Sequence, residues 1–170
     1  MDFLKLAKER FSCRKLSNKP VEKEKIDKII ESAILAPTGM NRQPFKVWVV
    51  NSEEGKANLA KVTPFTFGAN VFFVVGYNTS DCYVRPFDGR NFADVDTAIV
   101  ATHILLEVQD LGLGTTWVGH FDAPALKRIY PEMADYELIA IFPVGYPADD
   151  VKPAGKHFER KSAKELVAYL

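Results

Sequence analysis

Arg10, Ser12 and Arg14 alternate along the segment Arg10-Phe11-Ser12-Cys13-Arg14 near the N-terminus. Alternate side chains of an extended backbone share one side, so two guanidinium groups and a hydroxyl would face the same ligand. Guanidinium groups donate paired hydrogen bonds to phosphate oxygens, and a hydroxyl adds a directional donor. The segment is therefore a candidate phosphate site, although basic residues after a helix also complement its macrodipole without any ligand. A second constellation, Ala36-Pro37-Thr38-Gly39-Met40-Asn41-Arg42-Gln43-Pro44-Phe45, is a polar turn hemmed by two prolines. Thr38, Asn41 and Gln43 carry hydroxyl and amide groups able to pair with the edge of a heterocycle, while Gly39 lets backbone approach closely. A helix C-cap followed by an ordinary polar loop has the same composition.

Other chemistry-bearing residues are less organised. Leu111-Gly112-Leu113-Gly114-Thr115-Thr116-Trp117-Val118-Gly119-His120 contains a GxG, but here a helix precedes the glycines and a strand follows. A dinucleotide fingerprint has the reverse order. Gly112 and Gly114 read as a helix stop, leaving Gly119 as the functional candidate. His103 falls inside an apolar helix and reads as a core or interface histidine. His120 and His157 lie far apart with no carboxylate at ligand spacing, so no metal site is expected, and no Ser-His-Asp or Cys-His arrangement stands out. Cys13 sits between two arginines but on the alternate side of the segment, which favours packing over reactivity. The cluster Lys156-His157-Phe158-Glu159-Arg160-Lys161 is either a solvated tail or positive charge returned to the Arg10 and Arg14 side.

Regular elements must hold these groups in place. Asp2 can cap a short helix that turns Phe3, Leu6 and Ala7 inward and ends near Arg10. Ile26, Ile29, Ile30, Ala33 and Ile34 make the stripe of an amphipathic helix that Pro37 stops, so the Thr38 to Phe45 turn hangs from a rigid helix end. Strands are expected over Lys46 to Val50, Val71 to Tyr77, Thr115 to Val118 and Tyr136 to Val144. Helices are expected over Glu53 to Val62, Asn91 to Leu111, from Asp122 as cap to Ile129, and over Ala163 to Tyr169 behind a Ser162/Glu165 capping box. The Asn91 to Leu111 helix is apolar nearly all round, which suits the core or a subunit interface. Irregular alternation of helices and strands indicates an α+β fold with a mixed or antiparallel sheet.

A chain of 170 residues, 47% hydrophobic, can bury one core and has the size of a single domain. Its 22 basic residues balance 22 acidic ones, so no global field draws it to nucleic acid or an anionic membrane. Two cysteines make no disulfide framework, and no stretch has the length of a membrane span or the core of a signal peptide. A cytoplasmic protein is expected.

Taken together, Arg10-x-Ser12-x-Arg14, Ala36-Pro37-x-x-x-Asn41-x-Gln43-Pro44-Phe45, Leu111-Gly112-Leu113-Gly114 running into Trp117-Val118-Gly119, and Arg160-Lys161 before the last helix resemble the FMN-dependent nitroreductase family over nearly the whole chain. The resemblance implies a nitroreductase-like fold, a sheet flanked by helices in a homodimer, with FMN at the interface. It implies that Arg10, Ser12, Arg14 and Arg160 hold the phosphate, ribityl chain and pyrimidine edge. Pro37, Thr38, Asn41 and Gln43 would come from the second subunit. Trp117, Val118, Gly119 and His120 would pass the flavin's reactive edge, with the Gly119 N–H near N5, and the Asn91 to Leu111 helix would be dimer core. NADH or NADPH would be the electron donor, and a nitroaromatic, quinone or similar small molecule the acceptor. Flavin storage or sensing with little turnover is the alternative such a site allows, and a flavin-fragmenting or dehalogenating relative a more distant one. The chain is shorter than typical members, and Ser162 stands where a proline commonly follows the Arg-Lys pair. Phe65, Phe67 and Phe87 are candidates for an aromatic lid.

Overall fold

Val71, Phe73 and Val75 alternate with Phe72 and Val74 along one strand, and all five are buried. Both faces of that strand therefore need cover, and this requirement organises the molecule. The computed structural model describes residues 2–170. Its elements in chain order are α1 (Phe3–Glu9), α2 (Lys23–Ile34), β1 (Phe45–Val50), α3 (Glu53–Val62), β2 (Val71–Tyr77), α4 (Ala93–Asp110), α5 (Ala123–Ile129), β3 (Glu137–Val144) and α6 (Ala163–Leu166). The sheet runs β1-β2-β3, antiparallel throughout, with β2 central.

Two cores flank it. On one face Val71, Phe73 and Val75 of β2 and Ala140, Phe142 and Val144 of β3 pack with Ile29 and Ala33 of α2 and Val100, Ile104 and Val108 of α4. On the other, Phe72, Val74 and Ile141 pack with Leu59 of α3, Leu126 of α5, Met133 and Cys13. Each large side chain buried here contributes about 1.5–3 kcal/mol. The result is an α+β fold of three layers with helices on both faces of the sheet.

Local signals account for the helix ends. The Asp2 carboxylate accepts from the N–H groups of Leu4 and Lys5, Ser52 from Gly55, and Asp122 from Ala125, satisfying donors that a helix start leaves free. Gly112, at φ 71°, ends α4 in the left-handed region.

Three expectations need correction. The face of α1 expected to turn inward does not: Phe3 is 64% exposed, Ala7 is exposed and Leu6 only half-buried. Residues 115–118 form no strand ladder but single bridges, Ser12 with Thr115 and Val118 with Ile141, because each neighbour touches the segment at one point. The closing helix keeps its capping box but stops at Leu166, with Val167 already extended; the apolar residues beyond are exposed, with no packing among the described residues to hold them in a helix. Among the described residues no helix is long and apolar enough to cross a membrane.

Candidate functional site

The segment from Arg10 to Leu16 runs beside the middle of the chain, not along the sheet. The Cys13 N–H donates to the Thr115 carbonyl at 2.9 Å, and the Ser12–Thr115 bridge is parallel. This pairing fixes the alternation that the sequence suggests. Cys13 turns to the core, 1% exposed, while Arg10, Ser12 and Arg14 line a cavity of about 260 Å³ together with Lys156 and Arg160. Burial pushes the Cys13 thiol above its ordinary pKa, against a weaker opposing hydrogen bond with the Lys15 carbonyl. That is a packed thiol, not an activated one.

The cavity is strongly cationic. Among the described residues, Arg10, Arg14, Lys156 and Arg160 form no ion pair with any carboxylate. The Arg10 guanidinium is held below its ordinary pKa, first by burial and then by the charge of Arg160. The Lys156 to Lys161 cluster is thus neither wholly a solvated tail nor wholly returned charge: Lys156, His157 and Arg160 reach the cavity.

A second cavity, about 240 Å³, shares Arg14 with the first and is otherwise walled by Phe65, Phe67, Thr116, Trp117, Val118, Gly119 and His120. Val118 and Ile141 exchange backbone hydrogen bonds at 3.0 Å each, which ties this wall to β3. Trp117 meets Phe142 edge to face, and Phe65 stacks on Phe67 while meeting the His120 ring edge to face. Thr63, which the sequence did not single out, links the two walls: its hydroxyl donates to the His120 carbonyl at 2.8 Å and accepts from the Phe65 N–H. No motif marks such a residue, because its role depends on two loops meeting.

The glycines separate by what surrounds them. A Cβ on Gly114 would lie 2.7 Å from the Cys13 sulfur, so this glycine serves the close crossing of two backbones. A Cβ on Gly119 would meet only the Trp117 ring, no nearer than 3.8 Å. Packing within the chain leaves Gly119 unexplained, whereas a flat ligand in the cavity it lines would need the space.

Pro37, Thr38, Asn41 and Gln43 line neither cavity. Their turn is tightly bent, with Met40, Asn41 and Gln43 at φ 52°, 54° and 51°, conformations that cost non-glycine residues energy and persist only where the surroundings enforce them. The Thr38 hydroxyl accepts from the Gln43 N–H, and the Gln43 side chain donates to the Asn41 carbonyl. Asp96 of α4, 3% exposed, accepts from the Gly39 N–H at 2.9 Å and holds the turn from below. Gly39 does permit a close approach, but to Tyr83, whose Cβ would lie 2.8 Å from an added Cβ. Phe87 is almost fully exposed and also lies outside both cavities. Among the described residues no cluster of His, Cys, Asp or Glu could hold a metal ion.

Known proteins share this fold. A nitroreductase family protein from Clostridium difficile 630 is 35% identical, with a TM-score of 0.91, over 99% of this chain and 98% of its own. A protein of Methanothermobacter thermautotrophicus, provisionally named NADH dehydrogenase/NAD(P)H nitroreductase, is 28% identical over 154 residues, 88% of this chain and 80% of its own. A Desulfovibrio desulfuricans protein, provisionally classed as a nitroreductase and solved in complex with FMN, shares the fold at TM-score 0.83 and 24% identity, over 100% of this chain and 97% of its own. The nitroreductase family model matches residues 7–64 and 63–146, and since it spans both the arginine segment and the glycine-rich turn, the chain belongs to the nitroreductase family.

Proposed function

We propose that the chain is an FMN-dependent NAD(P)H oxidoreductase, a single domain over residues 1–170 acting as a homodimer. The observation that carries this reading is the cluster of four cationic side chains around one cavity, without a carboxylate among the described residues to neutralise them, joined through Arg14 to an aromatic-walled cavity. A phosphate monoester brings up to two negative charges and several acceptor oxygens, which suits Arg10, Ser12, Arg14 and Arg160. A flat heteroaromatic ring suits the wall of Trp117, Val118, Gly119 and His120. FMN combines both groups in one molecule, and the complex of the Desulfovibrio protein supports its choice.

Bound FMN would supply the redox chemistry, taking hydride from NADH or NADPH and handing reducing equivalents to a nitroaromatic, quinone or similar small acceptor. The chain's own share is binding, orientation and electrostatics. Arg14, common to both cavities, sets positive charge where a ring's pyrimidine edge would carry negative charge. Gly119 leaves room for close approach and offers its N–H. No side chain need act as nucleophile.

Dimerisation is supported by what the single chain leaves unused. Phe3, Leu4, Ile34, Leu35 and Met40 are exposed, a set that a second copy would cover. Pro37, Thr38, Asn41 and Gln43, which line neither cavity of their own chain, would then reach the partner's cofactor.

Purified protein should be yellow, and anaerobic NADH or NADPH should bleach it rapidly. Colour that only dithionite bleaches would mean flavin binding without nicotinamide turnover. Colourless protein that cannot be reconstituted would sink the proposal. Steady-state kinetics should be ping-pong, and sedimentation should find the yellow protein as a dimer.

A further inference from the structure

The C-terminal segment that brings Lys156 and Arg160 to the anion cavity is held to the rest of the chain at one point. From residue 154 to residue 170 every residue is exposed except His157. Its Nε2 donates to the Lys8 carbonyl oxygen at 3.1 Å, since a carbonyl can only accept. Among the described residues this is the single hydrogen bond joining residues 154–170 to the remainder of the chain. The His157 ring also meets Phe11 edge to face, with centroids 6.5 Å apart, and Phe11 lies between Arg10 and Ser12. Upstream, the segment is tied down as far as residue 151: Pro147 bridges to Leu16, the Ala148 N–H donates to the Lys15 carbonyl, and Lys15 pairs with Asp150. Beyond that, among the described residues nothing polar fixes Arg160 except a bond from its guanidinium to its own neighbour, the Glu159 carbonyl.

Like charge opposes this docking. The charge of Arg160 adds to burial in lowering the Arg10 pKa, so with no anion present electrostatics works against the segment and the His157 latch must hold it. We infer that His157 is a positioning residue: through the Lys8 carbonyl and the Phe11 ring it fastens the C-terminal segment as a strap across the anion cavity, and it strengthens phosphate binding by holding Arg160 and Lys156 in place. The part concerning phosphate rests on the FMN reading above, while the latch itself does not.

Two measurements on the full-length protein separate the two. Trypsin can cut after Lys161 and Lys164 in the exposed tail at any time, whereas cutting after Lys156 and Arg160, on either side of the latch, needs the segment to lift. In protein stripped of flavin, His157→Ala should speed cleavage after Lys156 and Arg160 several-fold, and His157→Gln, which keeps a donor for the Lys8 carbonyl, should restore much of the protection. Unchanged cleavage in His157→Ala would mean that something else, such as a second copy, holds the segment, and would overturn the latch. FMN titration by flavin fluorescence is the second measurement. His157→Ala should weaken binding roughly three- to tenfold, the scale of one lost hydrogen bond, with partial rescue in His157→Gln. Because His157 acts through Arg160 and Lys156, adding His157→Ala to a variant already carrying Arg160→Gln and Lys156→Gln should weaken FMN binding no further. Fold-losses that multiply would overturn the positioning role. Wild-type protein without FMN affinity would remove the cofactor reading and the phosphate role together, yet the cleavage result would still decide the latch.

Discussion

Arg10 and Arg160, from opposite ends of the chain, line the same cavity, and the charge of Arg160 adds to burial in lowering the pKa of the Arg10 guanidinium. Two cations held together with no carboxylate at hand are a cost in the free protein and an asset once an anion arrives. The expected effects of Arg10→Gln therefore have opposite signs. Thermal stability of the flavin-free protein should stay level or rise slightly, because a desolvated and repelled charge is gone. FMN affinity should fall by about 1.5–3 kcal/mol, the scale of a hydrogen bond to a charged group. Affinity of the wild type should also weaken as salt rises, since much of the site is exposed. Equal affinity in Arg10→Gln and Arg14→Gln variants and the wild type would move the phosphate elsewhere.

Two glycines a few residues apart should respond differently to alanine. Gly114→Ala forces a methyl against the Cys13 sulfur, and such overpacking costs about 1–3 kcal/mol. Gly119→Ala meets nothing closer than 3.8 Å, so its melting temperature should match the wild type while flavin binding or reduction by NAD(P)H suffers. Melting curves and flavin titrations of both variants read this directly. A Gly119→Ala protein with wild-type flavin chemistry would assign the glycine to chance.

Asp96 should matter to a turn it only touches. One of its oxygens accepts the Gly39 N–H, and the other, Oδ2, has no hydrogen-bond partner among the described residues. Asp96→Ala removes the acceptor of a half-buried N–H beneath a turn already bent at Met40, Asn41 and Gln43, a hydrogen bond worth about 0.5–1.5 kcal/mol. Asp96→Asn keeps an acceptor and should cost less. If the turn serves a partner's cofactor, Asp96→Ala should also loosen FMN and the dimer, which sedimentation and flavin titration measure.

Sequence periodicity located what depends on neighbours along the chain. The Asp2 cap and the limits of α3 and β2 follow from caps, breakers and apolar runs, whereas the periodicity left the sheet mixed or antiparallel and the structure makes it antiparallel. The alternation of Arg10, Ser12 and Arg14 likewise placed all three on one cavity, with Cys13 opposite. It failed where the partner decides. An apolar stripe on α1 says that a face wants cover, not that this chain supplies it, and residues 115–118 are extended without a companion strand. Thr63 and Asp96 escaped notice for a related reason, and His157 stood out only as part of a charged cluster. Each joins segments remote in sequence, and threonine, aspartate and histidine are ordinary at such positions.

Glu107 provides a pH test of the α4 surface. Burial raises its carboxyl pKa above the usual value, Asp110 and Glu31 raise it further, and Lys28 opposes them. Between the ordinary carboxylate pKa and the raised one, the folded protein keeps a proton that the unfolded chain has released. Stability therefore falls as pH climbs through that window, and the loss is complete above it. Glu107→Gln removes the ionisation. Near neutral pH it should be more stable than the wild type by a few tenths of a kcal/mol, a small gain because the side chain stays partly solvated. Well below the ordinary carboxylate pKa, where the folded and unfolded chains both carry the proton, the difference should vanish. Denaturant curves at a fixed protein concentration, which keeps any association constant, measure both points. A Glu107→Gln variant less stable than the wild type at neutral pH would show that the charged carboxylate is paired across α4, not merely desolvated.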